Sequence, residues 1–353
     1  MSDVATWKLR GPVRTLRREI AEWDAAREEW KPPRQLTIVT FRSDGKTSES
    51  EFHNPDGSIL RTTCRYDDRG RLLEMHSGPA DGPVTKTIHS YDDAGRHVRT
   101  VVIEPDGAPR EYEKYHYDSS GRKTKVTFLH TPPGLPAGVQ MHHSIEGTEQ
   151  AFSAPGATTM TTTYGEGDKP EEVLLHDAKH AVVRRVTFTR DREGRTLRED
   201  VQFGGQFPFP ELASEARGPS QEEAAALAAL MASVFANQTL HSTTYAYDRH
   251  GRVLERSTRM GVLSESRTTY HYDDRDNPIE EVTEDQSREI GADSPDEAPR
   301  ARSETARRHQ VRYEYQYDRE GNWTERIVSS RQQDSSSFQR SNVERRQITY
   351  HPR

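Results

Sequence analysis

The chain has 353 residues, of which 31% are hydrophobic and 30% charged, and its formal net charge is −7 at pH 7. The hydrophobic fraction lies well below the ~45–50% of apolar residues usual in globular domains, which excludes a conventional thick core. The near balance of 50 basic and 57 acidic residues argues against charge-driven disorder. We expect a chain that folds around a thin interior.

Several classes of protein are excluded by simple features of the sequence. No run of 18 apolar residues occurs, so we expect no helix that inserts into a membrane. The first residues contain no apolar signal region, which predicts a cytoplasmic location or export by a route that needs no such signal. Cys64 is the single cysteine, so no internal disulfide can form. Mild acidity without a basic stripe argues against a nucleic-acid partner.

A repeated motif, Tyr-Asp-x-x-Gly followed by Arg or Asn, organises the chain. Copies occur at 65–74, 90–99, 116–125, 189–198, 247–256, 272–281 and 317–326, with a degenerate one at 163–172. The Asp can accept hydrogen bonds from backbone N–H groups inside a turn, and the Gly supplies the positive φ that closes it. Pro-Asp-Gly turns or their relatives alternate with these motifs. Each repeat of 25 or 26 residues is thus two strands and two turns, and about 19 strands follow Gln35.

The side chains of this sheet are expected to divide between a buried face and a solvent-exposed face. Twelve of the 14 tyrosines lie at or just before the motif and share one face of their strands. In the strands that follow the motif, the third residue after the glycine is expected on the same buried face, as at Leu73, Val98, Leu197 and Leu254. We predict that the tyrosines form a buried cross-strand ladder.

Three long insertions are expected at one edge of the sheet. They occupy residues 131–157, 204–238 and 285–305, and each follows an even-numbered strand, whereas the Tyr-Asp turns follow odd-numbered strands. Loops on a rigid scaffold commonly form binding surfaces. Within the second insertion, a capping box at Ser220 and Glu223 and an apolar spacing of three and four predict an amphipathic helix over 220–238.

These patterns predict an all-β protein in two segments. Residues 1–34 form an N-terminal cap whose apolar spacing suits a helix and whose composition equally suits a hairpin. Residues 35–353 form a continuous antiparallel sheet of about 19 strands, twisted or rolled into a spiral or partial shell, with the one inserted helix. Rolling is expected because a sheet with one apolar face cannot stay open in water.

The Tyr-Asp-x-x-Gly motifs resemble those of the RHS/YD-repeat family, over roughly residues 40–350. The resemblance implies a long antiparallel sheet of repeating hairpins that coils into a spiral or shell, in proteins associated with the cell envelope, carbohydrates, cell contact or encapsulated toxins. No autoproteolytic core segment is found in the sequence, and we expect no effector domain after the last repeat. It is more similar to short bacterial YD-repeat proteins, whose ends carry the pattern found at Tyr315 to Arg326.

No catalytic constellation, metal site or cofactor motif is evident. The sequence has no nucleophile elbow, phosphate-binding loop or zinc-protease motif. His176 and His180 flank a turn and could approach one metal ion, but without a third ligand a plain hairpin is favoured. The repeated Asp could be taken for a calcium array, although turn capping explains it more simply. We expect no catalytic residue, no metal and no cofactor.

Six residues are candidates for binding a partner. They are Met141, His142 and His143 in the first insertion, Phe207 and Phe209 in the second, and Trp323 after the last motif. The residues of the insertions could form a contact patch or, as we favour, a plug over the buried face. Trp323 could stack on a sugar ring, or it could cap the last repeat, which is favoured.

The leading functional hypothesis is a non-enzymatic scaffold that binds a glycan or a protein partner through the loops on one edge. One alternative is a structural protein that assembles into fibres or oligomers through exposed sheet ends. A weaker alternative is a hydrolase whose site is assembled across the sheet from histidine and carboxylate groups.

Overall fold

The protein consists almost entirely of β-strands. The computed structural model describes residues 3–129, 143–144, 151–152, 157–165, 167–204, 239–261, 264–291, 300–333 and 335–352. A short helix, α1, spans Asp3–Thr6. The strands are β1 Val13–Asp24, β2 Glu29–Trp30, β3 Arg34–Phe41, β4 Thr47–His53, β5 Ile59–Tyr66, β6 Leu72–Pro79, β7 Thr85–Tyr91, β8 His97–Ile103, β9 Pro109–Tyr117, β10 Lys123–Phe128, β11 His143–Ser144, β12 Ala151–Phe152, β13 Ala157–Tyr164, β14 Pro170–Asp177, β15 Val182–Arg190, β16 Thr196–Phe203, β17 Thr239–Tyr247, β18 Val253–Met260, β19 Ser264–Tyr272, β20 Pro278–Gly291, β21 Arg300–Tyr317, β22 Trp323–Gln332 and β23 Gln339–Tyr350.

All strands except β11 and β12, which pair with each other, belong to one 21-stranded antiparallel sheet. From β3 onwards the sheet contains the 19 strands that the repeat predicts, and β1 and β2 add two more. Consecutive strands pair in simple hairpins, as Cys64 on β5 does with Met75 on β6. No helix in the described ranges is long and apolar enough to cross a membrane.

The N-terminal segment forms a strand and a hairpin over the region that could equally have been helical. β1 turns back into β2, where the rings of Trp23 and Trp30 meet edge to face with their centres 4.8 Å apart. β1 also pairs along its length with β23 on one side and β3 on the other, so Leu16 lies opposite both Ile348 and Val39. Pairing with two long strands stabilises β1 more than a helix would, because an isolated short helix is only marginally stable in water.

This double pairing of β1 corrects the expected form of the sheet. An open spiral or partial shell would leave the first and last strands of the array with free edges. Instead, β1 occupies the outer edges of both β3 and β23. The prediction of an open spiral or partial shell is therefore wrong, because the order of pairing closes through a strand that precedes the repeats.

The chain divides into two compact units. Unit 1 comprises residues 1–111, 270–282 and 308–353, and unit 2 comprises residues 112–269 and 283–307. In unit 1 the main apolar cluster contains Val4, Leu9, Val13, Leu16, Val39 and Phe41. In unit 2 it contains Val126, Ala157, Met160, Val173, Leu175, Val186, Phe188 and Val201. Both cores are built from aliphatic side chains and phenylalanine, with tyrosines half-buried at their margins.

The sheet face that carries the repeat tyrosines, here the tyrosine face, is more polar than expected. Thr243 and Glu199 are 1% and 2% exposed on it. Threonine hydroxyls pair across neighbouring strands, as between Thr243 and Thr258 at 3.3 Å. The prediction that the third residue after the glycine is buried is wrong for Leu197 and Leu254, which are 37% and 42% exposed. Each is the second residue of its strand, at the margin of the sheet, where fewer neighbours cover it.

The Tyr-Asp turns have the predicted chemistry. In the first, Oδ1 of Asp67 accepts hydrogen bonds from the backbone N–H groups of Arg69 and Arg71, and Gly70 has a φ of +73°. Oδ2 of the same carboxylate accepts a 2.6 Å bond from Nε of Arg71. The same Asp–Arg pairing recurs at Asp92, Asp118, Asp191 and Asp248. Capping of the turn by the motif aspartate is therefore confirmed.

The insertions connect β10 to β13, β16 to β17 and β20 to β21. The proposed helix over 220–238 lies outside the described residues. The third insertion is shorter than predicted, because β20 continues to Gly291 and β21 begins at Arg300. Exposed hairpin strands tolerate polar residues, as at Glu284 to Ser287, so composition does not distinguish them from a loop.

Candidate functional site

The long connections of unit 2 leave the sheet at one edge, here the insertion edge. It is the edge at which β10, β14, β16 and β18 end, while the Tyr-Asp turns of unit 2 lie at the other edge. The meander of β13 to β19 produces this arrangement, because successive antiparallel strands place alternate connections on opposite edges. Among the described connections at the insertion edge are the short turn at Asp177 and the turn at Gly261.

A polar cavity of about 330 Å³ opens beside this edge. It begins at Thr239 and Gly261, next to the strand ends, and continues towards the middle of β17 and β18. We call it the insertion-edge cavity. Its volume falls at the lower end of the range for small-molecule sites.

The cavity is lined by hydroxyl and charged groups. Ser242 and Thr244 alternate along β17 with Thr243, which is buried on the tyrosine face, so the two project to the opposite face. Ser257 lies directly across from Thr244 on β18. These three hydroxyl groups can each donate one hydrogen bond and accept two.

An ion pair forms the charged part of the lining. Nη2 of Arg259 lies 2.9 Å from Oε2 of Glu265, on the neighbouring strand β19. The two side chains are 64% and 44% exposed, so both can also contact a ligand. Arg198 lines the same cavity and pairs with Asp200 at 2.8 Å. A cavity with this lining can hydrogen-bond a ligand rich in hydroxyl groups, and its described lining residues include no aromatic ring for stacking.

A second cavity of about 330 Å³ in unit 2 lies among the Tyr-Asp turns. It is lined by Tyr117, Met160, Tyr164 and the side chain of Arg122. Arg122 already bonds to Asp118, donates to the carbonyl of Gly167 at 3.0 Å, and lies over the Tyr164 ring. Its hydrogen-bonding groups hold neighbouring turns together, so this cavity is a weaker candidate for ligand binding.

Most of the candidate binding residues from the sequence lie where no side chain can be described. Met141, His142, Phe207 and Phe209 are outside the described residues. His143 is placed by its backbone alone, in β11, where it pairs with Phe152. Whether these residues form a contact patch or a plug stays a prediction.

Trp323 belongs to unit 1 and is 8% exposed. The guanidinium carbon of Arg346 lies 3.4 Å from the centre of its indole ring, and the ring of Tyr315 meets it edge to face at 6.1 Å. The tryptophan is thus packed between neighbouring strands at the last motif. This burial fits the role of a cap better than that of a sugar-stacking platform.

Of the two histidines considered for a metal site, His176 contacts His180 through the backbone of the latter. Nε2 of His176 lies 3.1 Å from the hydroxyl of Thr161, and its Nδ1 faces the backbone carbonyl of His180 at 3.4 Å. In the described ranges, no group of three or more His, Cys, Asp or Glu side chains is arranged to hold a metal ion. The hairpin at Asp177, with Lys179 N–H bonded to its carboxylate, is the same turn as in the Tyr-Asp motif.

Glu199 is a buried carboxyl that belongs to no motif in the sequence. It is 2% exposed, and its Oε1 has no hydrogen-bond partner among the described residues. Burial raises the pKa of this carboxyl to about 7; nearby Arg190 opposes that rise and Asp200 adds to it. Strand alternation could have revealed it, because Glu199 shares its face of β16 with buried Val201.

No protein-family model matches the sequence, and no curated protein matches it. Among solved structures, a porin-like protein from Bacteroides uniformis is 9% identical and has a TM-score of 0.33, covering 96% of this chain and 98% of that one. A crystal structure of TcdB2-TccC3 is 13% identical with a TM-score of 0.26, over 92% of this chain and 18% of that one. A Tc holotoxin pore of Photorhabdus luminescens is 16% identical with a TM-score of 0.23, over 91% and 17%. The chain spans less than a fifth of the length of these last two.

Proposed function

We propose that the protein is a non-enzymatic repeat scaffold that binds a glycan in the insertion-edge cavity of unit 2. The observation that carries this proposal is the polar cavity beside the edge at which the first two insertions join the sheet of unit 2. We also interpret the chain as a short member of the RHS/YD-repeat family, on the basis of its seven spaced motifs.

The chemistry of the lining favours a glycan over an apolar ligand. Hydroxyl groups on Ser242, Thr244 and Ser257 can each act as donor or acceptor towards a sugar hydroxyl. Arg259 and Glu265 add a donor and an acceptor that carry charge and form stronger hydrogen bonds. The strands hold these groups in fixed positions, which lowers the entropy lost on binding.

The proposal is tested on a glycan array with the wild-type protein and two variants. Arg259→Ala removes the charged donor, and Ser257→Phe fills the cavity; each is expected to weaken binding of any retained glycan by at least tenfold. Arg185→Ala is the matched control, because Arg185 forms a similar exposed ion pair with Glu172 elsewhere in unit 2. Its binding should equal that of the wild type.

Two results would contradict the proposal. One is that no glycan is retained by the wild-type protein. The other is that Arg259→Ala and Ser257→Phe bind as well as the control. If a protein recovered by pull-down is lost with the same two variants, the cavity binds a protein partner instead.

The other functions have less support. Self-association through sheet ends would need free edges on β3 and β23, and β1 pairs with both strands. Light scattering of the purified protein tests assembly directly. For a hydrolase, a buried histidine bonded to a carboxylate would be expected. Among the described residues, His76 is 44% exposed and shares Glu74 with Lys86, and Nε2 of His53 lies 3.7 Å from Oε2 of Glu51, beyond hydrogen-bond distance.

A further inference from the structure

Three arginines surround a single buried carboxylate in unit 1. Arg18 on β1, Arg326 on β22 and Arg346 on β23 form this arginine cluster, and Glu344 on β23 lies between them. Strand pairing brings them together, because Arg18 lies opposite Arg346 and Arg326 lies opposite Glu344. Glu344 is 3% exposed.

The carboxylate of Glu344 is paired with two of the three arginines. Nε of Arg18 donates to its Oε1 at 2.6 Å, and Nη2 of Arg326 donates to its Oε2 at 2.7 Å. The ring of Tyr313 lies 5.6 Å from the guanidinium carbon of Arg326, and its hydroxyl donates a 3.0 Å bond to the carboxylate of Glu281. The cluster therefore has more positive than negative charge.

Among the described residues, Arg346 is the arginine of this cluster that forms no ion pair with Glu344. Its guanidinium stacks on the ring of Trp323, and its Nε and Nη1 are buried with no hydrogen-bond partner among the described residues. Nε of Arg326 is likewise buried, with no hydrogen-bond partner among the described residues. Burial, together with the positive charges of Arg18 and Arg326, lowers the pKa of Arg346 to about 9 in spite of Glu344. Buried donors of this kind are costly unless something accepts from them.

We propose that the arginine cluster binds the oxyanion of a small ligand, a phosphate, sulfate or carboxylate group. An oxyanion beside Arg346 would accept from its unpartnered Nε and Nη1 and from Nε of Arg326, and would balance the excess positive charge. Planar guanidinium groups suit such anions because they present several N–H donors in fixed directions. The side chains of Arg18 and Arg326 are 23% and 31% exposed, so the margin of the cluster reaches solvent. The donors of Arg346 and Nε of Arg326 are themselves buried, so an anion reaches them only when neighbouring side chains move aside.

The binding is measured by isothermal calorimetry of the full chain with inorganic phosphate, and separately with acetate, at constant ionic strength. The wild-type protein is expected to bind phosphate at one saturable site. Arg346→Gln should bind at least tenfold more weakly. Arg346→Lys, which keeps the charge but loses the guanidinium donors, should also bind more weakly.

The matched control is Arg345→Gln. Arg345 is next to Arg346 on β23, projects from the opposite face and pairs with Glu325 at 2.9 Å. This variant should bind phosphate as the wild type does. Thermal unfolding gives a second readout, since phosphate should raise the Tm of the wild-type protein and of Arg345→Gln but not that of Arg346→Gln.

Acetate binding at the same site would extend the ligand to carboxylates, and its absence would restrict the ligand to tetrahedral oxyanions. The proposal is overturned if neither anion binds saturably to the wild-type protein. It is equally overturned if Arg346→Gln folds and binds phosphate as tightly as Arg345→Gln does. If Arg346→Gln does not fold, Arg346→Lys decides between these outcomes.

Discussion

The guanidinium of Arg71 lies 4.8 Å from the centre of the Tyr91 ring, which belongs to the next repeat. The phenol of Tyr91 in turn donates a 2.8 Å hydrogen bond to the carbonyl of Leu72, the residue after that arginine. The same two contacts occur at Tyr247. The guanidinium carbon of Arg195 lies 5.0 Å from the centre of its ring, and its hydroxyl donates a 2.7 Å hydrogen bond to the carbonyl of Thr196. The tyrosine and arginine of the motif thus hold consecutive turns together, and Asp orients the arginine by pairing with it.

We predict that Arg71→Ala lowers the free energy of unfolding by about 1–2 kcal/mol. The substitution removes both the partly buried pair with Asp67 and the cation–π contact with Tyr91. Urea denaturation measures the change. Arg69→Ala is the control, because Arg69 lies in the same turn and is exposed. Equal losses in the two variants would show that the contact between the turns adds no stability.

A second prediction concerns His180, which occupies the position that glycine holds in most of these turns. Its φ is +64°, a conformation that costs a residue with a Cβ roughly 1 kcal/mol relative to glycine. His180→Gly keeps the backbone bond from residue 180 to Asp177 and should stabilise unit 2 by about 0.5–1 kcal/mol.

The adjacent substitution Ala181→Gly provides the comparison for His180→Gly. Ala181 has no positive φ, so glycine there only increases the freedom of the unfolded chain. Thermal unfolding should move in opposite directions for the two variants. A fall in Tm with His180→Gly would mean that the imidazole makes a stabilising contact larger than the backbone cost.

Features that neighbouring residues determine could be predicted from the sequence, and features that depend on distant partners could not. The turn at Asp67 was predicted because its hydrogen bonds all lie within five residues, and the strand count followed from the repeat length. The pairing of β1 with both β3 and β23 was not predicted, because it depends on partners up to 337 residues away in the chain, as Val13 is from Tyr350. The repeat gave no signal for a strand that lies outside it.

The candidate sites were harder to predict than the fold. The insertion-edge cavity and the arginine cluster use ordinary strand residues, such as Ser257 and Arg346, that carry no motif. In the sequence, Arg346 resembles the many arginines expected at the surface. Its burial becomes visible only in the structure, where strand pairing places it opposite Arg18. The buried polar groups of the tyrosine face were not predicted either. Burial was expected only for apolar and aromatic side chains, and a threonine or glutamate in a strand gives no such signal.

A third prediction compares two leucines that the structure places differently. Leu175 is 1% exposed in the core of unit 2, whereas Leu254 is 42% exposed. Leu175→Ala should cost about 2–5 kcal/mol, because it removes buried methyl groups and leaves a cavity. Leu254→Ala should change stability by less than about 1 kcal/mol. Similar losses measured by chemical denaturation would contradict the assignment of Leu254 to the margin of the sheet.

The last prediction concerns the pH dependence introduced by Glu199. Its pKa is raised from 4.5 to about 7 by burial, so the folded protein holds this proton more tightly than the unfolded chain does. A raised pKa contributes stability at low pH that is lost as the pH rises from about 4.5 through about 7. The loss approaches about 3 kcal/mol above pH 8, from 1.36 kcal/mol per pKa unit.

Glu199→Gln removes this titration, because the amide stays neutral at every pH. The variant should match the wild type near pH 4.5 and exceed its free energy of unfolding increasingly up to pH 8, as measured by urea denaturation across that range. Glu193→Gln, at a side chain that is 67% exposed in the preceding turn, should show no such divergence from the wild type. A constant difference between Glu199→Gln and the wild type at all pH values would mean that Glu199 ionises in the folded protein as it does in the unfolded chain.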